Sequence, residues 1–266
     1  MPEGDTVWLT AHRLDRALAG RPLRVADLRV PALATVDLVG CTVVTVVARG
    51  KHLLTRLDTG LTLHSHLRMD GSWHLSRSGT RARGHPDHMI RALLGNDDWL
   101  ATGYRVHDLE LVETVHEERL VGHLGPDLLG PDWDPDEAVR RLLAQPAVAV
   151  GEALLDQRNL AGIGNLYKCE VLFCERVNPW TPVADVPEPR RLVTTAHRLL
   201  RANRDHPEQS TTGRSRGGEQ HWVYERGGAA CLRCRTPIRR ELQGEQPRQR
   251  STYWCPRCQP AGLGAE

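Results

Sequence analysis

The residues with the plainest chemistry stand first in the chain: Met1, Pro2 and Glu3. Once Met1 is removed, Pro2 carries a free secondary amine. An α-amine has a pKa near ~7.8 against ~10.4 for a lysine, so about a tenth of it is unprotonated at neutral pH. Only the neutral amine is a nucleophile. A secondary amine attacking a sugar C1′ gives an iminium directly, and a neighbouring carboxyl such as that of Glu3 can donate and remove the protons that ring opening requires. Proline also starts helices, and the tripeptide alone favours that plainer role. The case for chemistry therefore rests on the rest of the chain.

The second reactive set lies at the other end. Cys231-Leu-Arg-Cys234 and Cys255-Pro-Arg-Cys258 are two CxxC pairs separated by a spacing that suits a hairpin. Four thiolates so placed form a closed tetrahedral zinc site, structural because no coordination position is left for water. One zinc per chain would fold a hairpin too small to have its own core. Arg248 and Arg250 lie in that hairpin, within reach of DNA phosphate. Net charge is only +2, but the segment from Arg190 to Cys258 holds fifteen Arg against six Asp or Glu. Such a one-sided segment is an electrostatic footprint for phosphate. Of 35 basic residues only Lys51 and Lys168 are lysine. A lysine kept in so arginine-rich a chain points to a place where a compact point charge is needed.

These residues need a scaffold, and 266 residues suffice for one large or two to three small domains. Apolar positions Val7, Ala11, Leu14 and Leu18, after Asp5 as a cap and before Gly20 as a stop, predict a helix that would hold Pro2 and Glu3 rigidly. From Arg24 to about Val115, short runs rich in Val, Leu and Thr predict an antiparallel β sandwich or barrel: Leu23–Val30, Thr42–Arg49, His52–Leu57 and Leu61–Leu67. Lys51 follows Gly50 at a strand junction, where its amine can project into a cleft. His52, His64 and His66 read as packed or solvated strand histidines, because no cysteine or carboxylate completes a metal set nearby. The proline-rich stretch 126–136 reads as a linker. Helices are then expected over Asp136–Ala144, Gly151–Gln157, Leu166–Arg176 and Arg190–Asn203. The glycines before Asn165 let a phosphate approach backbone N–H groups, and Asn165 adds a side-chain donor. The loop Ser210–Gly218 is basic and surface-exposed by composition.

Taken together, MPEGDTVW, RGKHLL, HSHLRMDG, LLDQRNLAGIGNLY and the terminal zinc ribbon resemble, in order and over nearly the whole chain, the formamidopyrimidine-DNA glycosylase and endonuclease VIII family of base-excision repair. The resemblance implies an α+β protein. Its parts are a sandwich domain at 1–125 with a leading helix, a linker at 126–136, a helix-two-turn-helix domain at 137–221 and a zinc-ribbon finger at 222–266. It implies that Pro2 attacks C1′, that Glu3 is the acid, and that Lys51 serves the active site and DNA phosphate. Asn165 and Arg250 match the family's DNA-contacting asparagine and zinc-finger arginine, and Met69 matches the residue that fills the hole left by an everted base. The damaged base is released, and β,δ-elimination from the iminium then cuts the strand on both sides of the sugar.

One departure bears on substrate. The formamidopyrimidine branch places an Arg-Phe pair in a strand loop, whereas Gly103–His107 here has none, leaving Arg105 or Tyr104 as stand-ins. With a start similar to the actinobacterial endonuclease VIII branch, this predicts oxidised pyrimidines over 8-oxoguanine, and tolerance of single-stranded or bubble DNA. The alternatives are an 8-oxoguanine glycosylase and a non-catalytic zinc-ribbon DNA-binding protein; the latter leaves Pro2-Glu3 with Lys51 unexplained. With no membrane-length apolar run and no signal-peptide pattern, a cytoplasmic monomer acting on damaged DNA is expected.

Overall fold

The computed structural model describes residues 2–80, 86–214, 217–247 and 249–261. Met1, Arg248 and part of the Ser210–Gly218 loop lie outside the described residues. The chain divides into two compact units, Met1–His123 and Leu124–Glu266.

The first unit opens with α1 (Gly4–Leu18) and continues through β1 (Arg21–Pro22), β2 (Val25–Leu28), β3 (Thr42–Arg49), β4 (His52–Leu57), β5 (Leu61–His66), β6 (Ser72–Arg77), β7 (Ile90–Gly95), β8 (Trp99–Tyr104) and β9 (Asp108–Glu113), closing on the short α2 (Glu118–Val121). Two antiparallel sheets form, β1-β3-β4-β5-β9 and β2-β7-β8-β6. Their core joins Val43, Val46, Leu53 and Leu63 of one sheet to Leu28, Ala92, Leu94 and Ala101 of the other. The apolar stripe of α1 (Val7, Ala11, Leu14, Leu18) belongs to the same core. Each such leucine contributes about 2 kcal/mol when removed from water.

Polar ties fix α1 along its length. Asp15 Oδ1 accepts the Val46 N–H at 2.7 Å and the Thr45 hydroxyl at 2.9 Å, where a bulge in β3 exposes them. Asn96 donates to the Ala17 carbonyl at 2.8 Å, satisfying one of the orphan acceptors of the helix end. Asp5 is not the cap: Glu3 holds that position in extended geometry, and Asp5 is buried in the first turn.

The second unit contains α3 (Pro135–Leu143), α4 (Val150–Ala153), α5 (Asn165–Cys174), α6 (Pro189–Asn203) and the hairpin of β10 (Arg239–Gln243) and β11 (Arg250–Trp254). The helix expected over Gly151–Gln157 shrinks to one turn, because Asp156 turns the chain by accepting the Arg158 N–H. The stretch 126–136 is not free chain. Leu128 is fully buried, Asp127 pairs in a bridge with Ala161, and the division between units falls at His123/Leu124 instead. Its prolines stiffen a packed segment rather than release a linker. α5 is buried from Asn165 to Phe173 and forms the centre of the unit. One side meets Leu160, Val193 and Leu200; the other meets Val223, Cys231, Ile238 and Tyr253 of the cysteine-bearing segment.

Candidate catalytic and nucleic-acid-binding residues

At the start of α1, Pro2 is half-buried and Glu3 is 1% exposed. The Glu3 carbonyl accepts the Val7 N–H at 3.0 Å, so the amine-bearing residue stands one position outside the first helical turn. The positive end of the helix there favours negative charge. Lys51 belongs to a two-residue turn with Gly50, between the paired ends Arg49 and His52 of β3 and β4. Gly50 has φ +58°, the left-handed region that favours glycine. α1 and β3 run in opposite directions, since Gly20 N donates to Val43 O and Asp15 grips Val46. From that grip, about 18 Å of helix leads back to Glu3, and about 10 Å of strand leads forward to Arg49, where the Gly50-Lys51 turn begins. The N-terminus of α1 and the turn that carries Lys51 therefore lie toward the same end of the sheet.

Beside Lys51 lies a group of imidazoles. His52 and His66 are cross-strand partners, with ring centroids 5.0 Å apart, and His123 lies edge-on to His52. His52 Nδ1 and His64 Nε2 are hydrogen-bonded at 2.9 Å, and His66 Nδ1 accepts the Arg68 N–H. Burial, then the neighbouring histidines, pushes His52 down to about 3. Burial, then Arg68, pushes His66 down to about 4, and burial also lowers His64. At neutral pH these rings are therefore uncharged donors and acceptors beside the lysine. The depressed folded values mean that between pH 6.5 and about 4 the unfolded chain binds more protons, so stability is present above 6.5 and lost as pH falls. Thermal melts from pH 7.5 to 5 are expected to show a loss of up to about 2 kcal/mol for each of His52 and His66 by pH 5. His52→Asn should flatten that profile; an unchanged slope would remove the histidines as its cause.

Met69 is 65% exposed on the turn between β5 and β6. The turn is tight: Gly71 N donates to Leu67 O, and a Cβ at Gly71 would come within 2.5 Å of that oxygen. The neighbouring Asp70 accepts Arg105 Nη1 at 3.0 Å, which ties this turn to the loop after β8. Of the two stand-ins for the missing phenylalanine, Tyr104 is buried against His74 and only Arg105 is accessible. Phe173 is buried under the Arg233 guanidinium, 4.3 Å from its ring centre.

In the second unit, Gly162 takes φ +99° and Gly164 caps α5. Asn165 follows, but it is 6% exposed and its amide donates to Ser251 O at 2.8 Å. It thus grips the strand that carries Arg250 with one of its two amide N–H groups. Arg250 itself is exposed. The sulfurs of Cys231, Cys234, Cys255 and Cys258 all lie within 4.8 Å of one another, with Cys231–Cys258 at 4.0 Å and Cys234–Cys255 at 3.4 Å. Zinc–sulfur bonds of about 2.3 Å at tetrahedral angles put sulfurs about 3.8 Å apart, so the cage fits the ion. A hydrogen bond with Thr236 brings Cys234 down to about 6, whereas burial and then the facing sulfurs push Cys258 up to about 12. A cation is what permits all four to ionise together.

Of two charged residues in α5, sequence reasoning missed Glu170 and noted Lys168 only as a retained lysine, without a place for it. Glu170, fully buried, accepts backbone N–H groups from Trp222, Val223 and Tyr224 and the Thr211 hydroxyl. Lys168, also fully buried, donates to Thr252 Oγ1 at 2.6 Å. Their signal was present as two charges in the otherwise apolar run NLYKCEVLFC.

The fold is that of a DNA glycosylase. A crystal structure of Lactococcus lactis formamidopyrimidine-DNA glycosylase, noncovalently bound to DNA containing an AP site, superposes with a TM-score of 0.80 at 23% identity, covering 97% of this chain and 100% of that one. The chain belongs to the formamidopyrimidine-DNA glycosylase family: its N-terminal domain matches residues 1–105, its H2TH domain 124–211, and the zinc finger found in FPG and IleRS 228–261. Among relatives, a protein named probable endonuclease 8 2 from Streptomyces coelicolor is 58% identical, over 97% of this chain and 94% of its own length. The DNA-(apurinic or apyrimidinic site) lyase Nei2 of Mycolicibacterium smegmatis is 44% identical, over 98% of this chain and 100% of its own length.

Proposed function

We propose that this chain is a bifunctional DNA glycosylase and abasic-site lyase of base-excision repair, selective for oxidised pyrimidines. The observation that carries the reading is that α1, pinned to β3 through Asp15, presents Pro2 and Glu3 toward the same end of the sheet as the Gly50-Lys51 turn. The neutral Pro2 nitrogen attacks C1′; the bond from C1′ to the base breaks, and the proton shed by the nitrogen balances the one the departing base takes up. Glu3 protonates the sugar ring oxygen as the ring opens to the iminium. Loss of a 2′ proton then expels the 3′ phosphate, and a second elimination expels the 5′ phosphate. Lys51 holds phosphate, Met69 fills the space left by the everted base, and Arg250 meets the backbone with Asn165 behind it. Extrusion is required because C1′ is shielded in a duplex. Zinc supplies no chemistry to this sequence; held by the four cysteines, it folds the hairpin.

The lesion class follows from the loop after β8, where Arg105 stands without a phenylalanine. A wedge of this reduced kind supports tolerance of single-stranded and bubble DNA. The protein works as a cytoplasmic monomer, since one lesion offers no two-fold symmetry to match.

The test is borohydride trapping on an abasic oligonucleotide with mass mapping of the adduct, alongside excision of thymine glycol and 8-oxoguanine. An adduct on the Pro2 peptide and preference for thymine glycol are expected. No adduct from a chain with free Pro2 and intact DNA binding would leave the binding-protein reading. Efficient excision of 8-oxoguanine only opposite cytosine would overturn the lesion class.

A further inference from the structure

We propose that Lys168 is a positioning residue that sets Arg250 against DNA by acting through Thr252, an inference that rests on reading Arg250 as a phosphate contact. In a chain that uses arginine almost throughout, Lys168 is one of two lysines, and it is fully buried in α5. Its Nζ donates to Thr252 Oγ1 at 2.6 Å; that hydroxyl donates to Gln243 Oε1 at 3.0 Å, and Gln243 Nε2 donates to Pro179 O at 2.8 Å. One turn earlier on the same helix face, Asn165 donates to Ser251 O at 2.8 Å. Two successive rungs from α5 thus grip Ser251 and Thr252, the two residues that follow Arg250.

The grip matters because β10 and β11 form a two-stranded hairpin, which by itself is marginal in water. Arg250 stands at its end, paired with Gln243. An apolar residue would fill the position of Lys168 without desolvating an ammonium, so a lysine there is a costly way to occupy space. What it adds is direction: a short bond to a hydroxyl at a fixed point of β11. Arginine is a poor replacement, because a forked guanidinium needs more room than a fully buried lysine site supplies.

The experiment is a salt titration of affinity for a duplex with a stable abasic-site analogue, using Arg250→Ala, Lys168→Met, their double variant, Thr252→Val and Thr252→Ser. Arg250→Ala is expected to weaken binding about tenfold and to reduce the slope of log K against log salt by about 0.9, one phosphate contact. Lys168→Met and Thr252→Val should show the same reduced slope, and adding Arg250→Ala to Lys168→Met should cost less than twofold more. Thr252→Ser keeps the hydroxyl and should bind as the parent does. General loosening of the fold would lower the melting temperature without this slope change or this loss of additivity. Should Lys168→Met fail to fold, the contrast between Thr252→Val and Thr252→Ser decides. If Arg250→Ala itself leaves affinity and slope unchanged, the reading of Arg250 fails and the inference with it. If Arg250→Ala acts as expected but the Lys168 and Thr252 variants keep the parental slope, or their losses multiply with its own, the positioning role alone is overturned.

Discussion

A chain carrying one additional residue ahead of Pro2 is expected to give no borohydride-trapped adduct with abasic DNA and to lose strand cleavage by more than about 10⁴-fold. The reason is elementary. In the processed chain the Pro2 nitrogen is a secondary amine with a lone pair; behind another residue it is a tertiary amide, planar through resonance and without nucleophilicity. Nothing else in the molecule need change, because α1 is held from Asp15 and Asn96 at its far half and from its buried leucines. DNA affinity should therefore survive, measured by titration with an abasic-site analogue. Cleavage that persists in the extended chain, with an adduct mapped to Lys51, would move the nucleophile to the lysine.

Stripping the metal is expected to have the second largest effect. Zinc binding to such a cysteine set is worth about 10–16 kcal/mol at neutral pH, far more than a two-stranded hairpin can supply from its own packing. Removal with a strong chelator should release one zinc per chain and weaken DNA binding by at least about 100-fold as the Arg250 strand loses its frame. The damage should not stop at the hairpin. Phe173 and Cys169 of α5 share a core with Cys231, Ile238 and Tyr253, and Arg233 lies over the rings of Phe173 and Trp222. A change in tryptophan fluorescence should accompany metal release. Full DNA affinity and an unchanged melt after complete removal would mean that the cage is dispensable.

Much of this was legible in the sequence where the deciding physics is local. The strands Thr42–Arg49 and His52–Leu57 were readable to the residue, because alternation and a turn glycine set their limits. The cysteine spacing sufficed for the zinc cage, since ligand chemistry leaves few other solutions. Other features depend on partners distant in sequence. Nothing near Tyr104 announces its burial against His74, and nothing near Asn165 announces its bond to Ser251. The stretch 126–136 reads as loose by its prolines, yet its leucine is claimed by a core assembled from residues downstream. Glu170 and Lys168 look like mistakes in an apolar helix until the segments they hold, Trp222–Tyr224 and Thr252, fold onto them.

The tie between Asp15 and the bulge of β3 makes α1 a measuring rod. The rod is anchored at one end and carries its working group at the other. Each residue inserted between Glu3 and Asp15 would advance the tip by about 1.5 Å and swing it through about 100°, carrying the amine away from its present bearing on the sheet. Substitutions on the outer face of the helix leave that distance and angle alone. Descendants of this chain are therefore free to vary the composition of α1 but not its length, and gaps in this segment should be rarer than changes of letter.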